Sequence, residues 1–289
     1  MSTDTYLNDI ADIWPSLGPD IKSIPNYIKK YVGETIVIKC GGKVLGDPVL
    51  YDYLITDIAI LNRLGLKIIV VHGGGIRIQK GLDKLNIKSK FINGLRVTDE
   101  KSMEIVKNSM DQFNKEIVEA LKKKSCKSIG FESSKNNIFI VTQESPELGF
   151  VGRPKNIIDN KIIEILNENK VAVVSPVGID ENNKKYNINA DTAASSLAKK
   201  LQTRRLLLMT DVEGVYDSEN KLMTEIKQIE AKELIKNKII LGGMIPKIQN
   251  CIDAVLNGVR GVVIIDGRKP HSILHEIFSD EGAGTLIRK

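Results

Sequence analysis

Six runs of five mostly aliphatic residues punctuate the chain: "TIVIK" (35–39), "KIIVV" (67–71), "IFIVT" (138–142), "VAVVS" (171–175), "LLLMT" (206–210) and "VVIID" (262–266). Runs this short and this apolar fit strands buried on both faces. Between them lie segments of helical periodicity. One spans about Leu50 to Leu64, with Leu50, Leu54, Ile58 and Leu61 on one face and Gly65 placed to end it. Another follows Thr98 as its N-cap, with Met103, Met110, Phe113, Ile117 and Leu121 at near-helical spacing. Further helices are expected near 156–169, 190–201, 226–237, 246–257 and 270–278. Strands that alternate with helices predict an α/β fold, a three-layer αβα sandwich with a mostly parallel central sheet. The polar, turn-rich "IDENNKKYNIN" (179–189) is the best internal boundary.

Several function classes drop out early. No apolar run approaches the roughly 18 residues a membrane helix needs, and the acidic start "MSTDTYLNDIADIW" lacks the basic and apolar regions of a secretory signal. A cytoplasmic protein is expected. Cys40, Cys126 and Cys251 are too few and too scattered for a disulfide framework. The net charge of +6 comes with only 5% aromatic residues, and its densest run, "LKKKSCK" (121–127), reads as a solvated helix end. A nucleic-acid surface is therefore disfavoured, and the charge suits an anionic small substrate.

In open parallel sheets, ligands gather where strands end and helices begin. Three such ends are unusual here. In "VIKCGGKVLGD", Lys39 closes the strand and Gly41 and Gly42 open the turn; "VVHGGG" follows Val71 with a histidine and three glycines; "LLLMTDVEGVYD" places Thr210, Asp211 and Gly214 after an apolar strand. Bare backbone lets successive N–H groups converge on an anion, and a following helix adds its positive end. A phosphate or carboxylate cradle is the reading. No GxxxxGK[ST] or complete GxGxxG occurs, which disfavours a Walker-type or dinucleotide site. His72, His271 and His275 form no metal-binding pattern, and His72 reads as a strand-end residue satisfied by backbone.

Lys39 taken alone could be a strand-end lysine stretching to solvent. A second lysine shifts the reading: "LGGMIPKIQN" sets Lys247 just inside a helix that follows Gly242 and Gly243. "NINAD" puts Asn187, Asn189 and Asp191 at another helix start, where ordinary capping is the competing explanation. Two lysines, an aspartate and glycine turns suit phosphoryl transfer, in which positioning and charge neutralisation do most of the work. A carboxylate acceptor, already ionised at neutral pH, needs no histidine base.

The first 30 residues stand apart. Leu7, Ile10, Ile13, Trp14 and Leu17 form an apolar stripe, interrupted by Pro15, Gly18 and Pro19 before "SIPNYIKKYV". The stripe either packs on another subunit or folds back on its own chain.

"VIKCGG", "VVHGGG", "NGLRVTD", "NINADTAA", "LLMTDVEGVYD" and "GGMIPKIQNCIDAV" occur in an order that resembles the amino-acid kinase family, over about residues 25–287. Within it, "NGLRVT" and "GGMIPK" point to the branch that phosphorylates the side-chain carboxylate of N-acetyl-L-glutamate in the second step of arginine synthesis. The resemblance implies the amino-acid kinase fold in two lobes: an N-terminal extension (1–30), an acetylglutamate-binding and dimerising lobe (31–184) and an ATP-binding lobe (185–289). Lys39 and Lys247 would stabilise the phosphoryl group in flight and Asp191 would hold both ammonium groups. Gly74 and Gly75 would receive the acceptor carboxylate, Arg96 the substrate's α-carboxylate, and Asn187 would also contact substrate. Gly41 and Gly42 would approach the ATP phosphates, and Thr210, Asp211, Gly214, Gly243 and Met244 would line the nucleotide site, with Mg²⁺ arriving on ATP.

The two termini also resemble the arginine-inhibited branch, which implies L-arginine as inhibitor near Tyr27, Lys221 and Glu276. It further implies a homo-oligomer, either a dimer or a hexamer built from three dimers, and a PII-type signalling protein as a candidate partner. Pro15, Gly18 and Pro19 depart from that branch by breaking its leading helix, and Lys43–Val44 departs after the first glycine pair, where a side chain can point to solvent. Sister kinases acting on aspartate, glutamate, carbamate or UMP share the fold and both lysines, but Arg96 in its motif favours an acetylated amino acid. A non-catalytic arginine or acetylglutamate sensor would lack a lysine, and both are present.

Overall fold

The computed structural model describes residues 3–289. Eight strands form the central sheet: β1 (Thr35–Cys40), β2 (Lys67–His72), β3 (Ser128–Phe131), β4 (Val171–Val174), β5 (Arg205–Thr210), β6 (Glu225–Lys227), β7 (Val262–Asp266) and β8 (Gly284–Arg288). Their order is β6-β8-β7-β5-β1-β2-β4-β3. Every neighbouring pair is parallel except β7 with β8. The helices are α1 (Thr3–Ile10), α2 (Ile24–Ile28), α3 (Pro48–Arg63), α4 (Gly75–Lys84), α5 (Glu100–Lys123), α6 (Asn160–Asn167), α7 (Ala190–Lys200), α8 (Gln228–Lys236), α9 (Met244–Leu256) and α10 (Ser272–Phe278).

Side chains alternate across a strand, and both faces of this sheet are apolar. Val37, Ile69, Val71, Leu206, Leu208 and Ile264 pack with residues of α6, α7, α8 and α9. Ile36, Ile38, Ile68, Val70, Leu207 and Ile265 face the other way, against α3, α5, α10 and the N-terminal segment. This double burial explains why the runs read as continuous rather than alternating. The mixed α/β architecture with a mostly parallel central sheet and helices on both faces is the one expected.

Four expectations need correction. The "IFIVT" run belongs to a second, four-stranded sheet, whose order is Lys185–Asn187, Val177–Ile179, Phe139–Gln143, Gly152–Ile157. That sheet also takes up most of the polar 179–189 stretch as a hairpin, with Asp180 Oδ1 accepting from the backbone N–H of Asn182 and Lys184. The helix expected over 156–169 starts only at Asn160, because Gly152–Ile157 pairs as a strand with Phe139–Gln143. The N-cap of α5 is Asp99, which accepts from Ser102 N at 2.8 Å, while the Thr98 hydroxyl donates to Arg96 O. A carboxylate is the stronger acceptor for an orphan helix N–H.

The N-terminal segment folds back on its own chain. Ile10, Ile24 and Ile28 are fully buried in the core beside α3 and α10, each worth about 1.5–3 kcal/mol of transfer free energy. Trp14 lies against Phe278 with ring centroids 6.2 Å apart, and its indole N–H donates to Pro19 O at 3.0 Å across the break made by Pro15, Gly18 and Pro19. No described helix is long and apolar enough to cross a membrane.

Candidate active site

Strand alternation decides where Lys39 points. It shares a face with Val37, on the side covered by α7 and α9, so its ammonium meets helix starts rather than open solvent. Lys39 Nζ lies 2.8 Å from Asp191 Oδ1, and Lys247 Nζ lies 2.5 Å from Asp191 Oδ2. All three side chains are about 15% exposed. Asp191 is in the first turn of α7, whose cap is Asn189; the Asn189 side chain accepts from Asp191 N at 2.9 Å and Thr192 N at 3.1 Å. Capping therefore belongs to Asn189, which leaves the Asp191 carboxylate free for the lysines. Burial alone would raise the Asp191 pKa, but the two ammonium groups outweigh it and hold the carboxyl at about 2.

The glycine turns after β1 and β2 touch. Gly73 N donates to Cys40 O at 2.7 Å, and a Cβ on Gly73 would sit 3.4 Å from Gly41 Cα. A Cβ on Gly41 would come within 3.3 Å of Lys39 Nζ, whereas Gly42, at φ +56°, and Gly75 have open space before them. Gly42, Gly73, Gly74 and Gly75 line a cavity of about 320 Å³ together with Arg77 and Lys80. A larger cleft, about 1150 Å³, runs past Asp191, Lys247, Gly242 and Gly243 to the Asn93–Gly94 turn. The N-terminus of α4, at Gly75, adds its unpaired N–H groups to the smaller cavity.

Arg96 comes to the same turn. Its guanidinium donates to Gln79 Oε1 at 3.0 Å, to the Ser89 hydroxyl and to Gly75 O at 3.4 Å, and lies 4.7 Å over the Phe91 ring. Partial burial lowers its pKa. Asn187 joins through Thr98: its amide donates to Thr98 Oγ1 at 3.4 Å, and Thr98 Oγ1 donates to Arg96 O at 2.9 Å. Thr210 ends β5, and its hydroxyl donates to Asp211 Oδ1 at 3.4 Å. Gly243 caps α9 with open space around it, and Met244 begins that helix. Gly214 differs: a Cβ there would lie 2.3 Å from Thr285 Oγ1, so packing against β8 accounts for the missing side chain. Lys43 is exposed, and Val44 is buried beneath it.

The Asp280 carboxylate beside Tyr27 raises the phenol's pKa, and Glu276 accepts from Ala283 N at 2.9 Å. Burial raises the Glu276 pKa. Both residues thus border the 280–283 loop. Lys221 is exposed in the turn of a separate hairpin, where its N–H donates to Asp217 Oδ1.

The sequence did not single out Gln79 and Ser89, which hold Arg96, nor Arg77 and Lys80. Gln79 and Ser89 carry no local pattern that links them to Arg96. The basic residues of α4 did leave a signal, two cations within the first two turns after three glycines.

The family model described as "Amino acid kinase family" matches residues 34–266. An acetylglutamate kinase of Pelagibacter ubique is 52% identical over 281 residues, covering 97% of this chain and 98% of the relative. One of Clostridioides difficile is 43% identical, covering 93% and 96%. An N-acetylglutamate synthase of Neisseria gonorrhoeae, solved with coenzyme A and N-acetyl-glutamate, superposes with a TM-score of 0.83 at 22% identity, covering all of this chain and 64% of that longer one. The same synthase has been solved with coenzyme A and L-arginine, with a TM-score of 0.79 at 21% identity. At such identities the synthase shows the fold alone.

Proposed function

The chain belongs to the amino acid kinase family, and on that premise we propose that it phosphorylates the side-chain carboxylate of N-acetyl-L-glutamate with ATP, a step of arginine biosynthesis. The observation that carries the mechanism is the Lys39–Asp191–Lys247 bridge. A carboxylate oxygen attacks the γ-phosphorus, the new O–P bond forms, the bond to the β-phosphate oxygen breaks, and ADP leaves. Bringing an anion to about 3 Å from a triphosphate is repulsive, and only preorganised cations and N–H dipoles offset that repulsion.

In this reading Lys39 and Lys247 neutralise the transferring group, and Asp191 fixes both before substrate arrives. Gly74 and Gly75 seat the acceptor carboxylate; the open space in front of Gly75 supports that role. Arg96 and Asn187 take the substrate's α-carboxylate end, and Gly41, Gly42, Thr210, Asp211, Gly243 and Met244 border the nucleotide, whereas Gly214 packs on Thr285. Mg²⁺ would arrive on ATP and would offset the charge of its phosphates, with no side chain of this chain assigned to hold it. Both Asp191 oxygens face ammonium groups, and no group of three His, Cys, Asp or Glu side chains converges among the described residues. The acetylglutamate lobe then runs from residue 31 to the end of the 177–187 hairpin, a few residues past 184, and the ATP lobe from there to residue 289.

L-Arginine as inhibitor is supported by the fold-back of the N-terminal segment onto α10 and by Tyr27 and Glu276 bordering one loop. Lys221 has only the resemblance behind it. Assembly as a dimer or hexamer, and a PII-type partner, rest on the same resemblance. The test is acyl-phosphate formation trapped by hydroxylamine, with N-acetylglutamate set against glutamate, aspartate and carbamate, each with and without arginine. Signal with N-acetylglutamate alone supports the reading, and signal with another acceptor removes the role of Arg96.

A further inference from the structure

His72 closes β2 immediately before the three glycines and is fully buried. It shares the alternating face of Ile68 and Val70, which turns its ring toward α5, where it meets the Phe113 ring edge-on at 5.2 Å. Asn114, the next residue of α5, fixes its protonation. The Asn114 amide nitrogen donates to Val173 O at 2.9 Å. A backbone carbonyl only accepts, so the amide cannot be flipped, and its second hydrogen is aimed at His72 Nε2, 3.2 Å away. Nε2 must therefore carry a lone pair. The Ser175 hydroxyl, 3.2 Å from the same nitrogen, can donate to it as well. A neutral ring that accepts at Nε2 holds its proton on Nδ1, which faces Gly73 O at 3.4 Å.

We propose that His72 is a positioning residue for the acceptor seat: its Nδ1–H holds the Gly73 carbonyl, so that the Gly74 N–H points into the cavity where the substrate carboxylate binds. The peptide between Gly73 and Gly74 is planar, so fixing its carbonyl on one side sends the N–H to the other. Three flexible glycines gain from such a clamp, because without it the peptide can rotate as a unit at little steric cost. Asn114 and Ser175 set the tautomer, and Phe113 keeps the ring in its plane. Burial agrees with a neutral ring, pushing the pKa down to about 4. The inference rests on the acetylglutamate reading above, whose acceptor seat it refines.

Two substitutions separate the ring nitrogens, since an asparagine amide falls near the Nδ1 position and a glutamine amide near Nε2. Steady-state kinetics of the full chain should show His72→Gln raising KM for N-acetylglutamate about tenfold or more, the scale of one lost hydrogen bond to an anion. KM for ATP should not move. His72→Asn should stay within about threefold of the parent. Equal effects of the two variants, or a shift in KM for ATP instead, would overturn the proposal. Long-range ¹H–¹⁵N spectra of the unsubstituted protein give a readout that does not depend on the variants folding. A buried imidazole in the Nδ1–H form at pH 6–7 is expected, and an Nε2–H or doubly protonated ring refutes the assignment. If the unsubstituted protein makes no acyl phosphate from N-acetylglutamate, the acceptor reading fails while the spectra still judge the tautomer. If it is active and His72→Gln binds normally, only the His72 role fails.

Discussion

Two aspartates drawn away from solvent end up on opposite sides of the usual carboxylate range. Asp191 sits between Lys39 and Lys247 and is held at about 2. Asp57, on α3, meets His271 Nδ1 at 2.6 Å and is pushed up to about 6, because burial outweighs its histidine partner. Burial sets the penalty, and the number and kind of cations facing the oxygens decide its outcome. The first arrangement keeps an anion charged among cations that are wanted elsewhere, whereas the second joins α3 to the start of α10.

The contrast is broken most severely from the lysine side. Lys39→Ala and Lys247→Ala should each lower kcat by about 10²–10³-fold, the scale of removing one preorganised donor from a developing charge. Circular dichroism should show the fold intact, and near-normal turnover in either variant contradicts the assignment. Asp191→Asn keeps both cations but removes the anion that fixes them, so about 10²-fold in kcat is expected. A kcat within about threefold of the parent would show that Asp191 does not position the lysines. Arg96→Lys gives up the planar fork and should raise KM for N-acetylglutamate about tenfold while leaving ATP binding alone, as titration of each substrate will report.

The smallest effect concerns pH and falls on opposite sides for the two aspartates. The raised pKa of Asp57 contributes stability that is complete below its unfolded value of about 3.8 and is lost as pH rises through about 6. The depressed pKa of Asp191 contributes stability present above about 3.8 and lost as pH falls through about 2. Urea titrations between pH 4 and 7 should therefore show Asp57→Asn removing a decline of about 2–3 kcal/mol while turnover at neutral pH is unchanged. An identical slope in both proteins would show that the His271 pairing keeps Asp57 ionised throughout.

Much of this was legible in the residues. Five of the six apolar runs are central strands, because strands buried on both faces must be continuously apolar. The sixth is a strand of the smaller sheet. Ser128–Phe131 escaped notice because only Phe131 of the four is fully buried, and its glycine weakens the pattern. The antiparallel β8 is a short segment that opens on Gly284 just after Gly282, which composition alone does not mark as a strand. At the site, both lysines were visible beside glycines, but the bridge was not, since Asp191 at a helix start looks like a cap until Asn189 is seen to cap instead. Gly214 shows the converse limit: a glycine after a strand reads as a ligand turn, yet here Thr285 occupies the space. The backbone partner expected of His72 is there, Gly73 O facing Nδ1, and what the residues alone could not show is that Asn114 and Ser175 face its other ring nitrogen.

The adjacency of β1 and β5 bears on how the cleft can close. Ile36 to Lys39 run in register with Arg205 to Leu208, so the first and second halves of the chain are laced together by peptide hydrogen bonds at mid-sheet. They cannot swing apart about a loop as separate jaws do. The available motion is a change in strand twist, which varies from roughly 10° to 35° between neighbours among known sheets. With helices stacked about 10 Å off the sheet, a rotation of about 5° carries a helix tip by about 1 Å, enough to separate a near-attack geometry from an idle one. The sheet that carries Lys39 is then also the torsion spring that aims it.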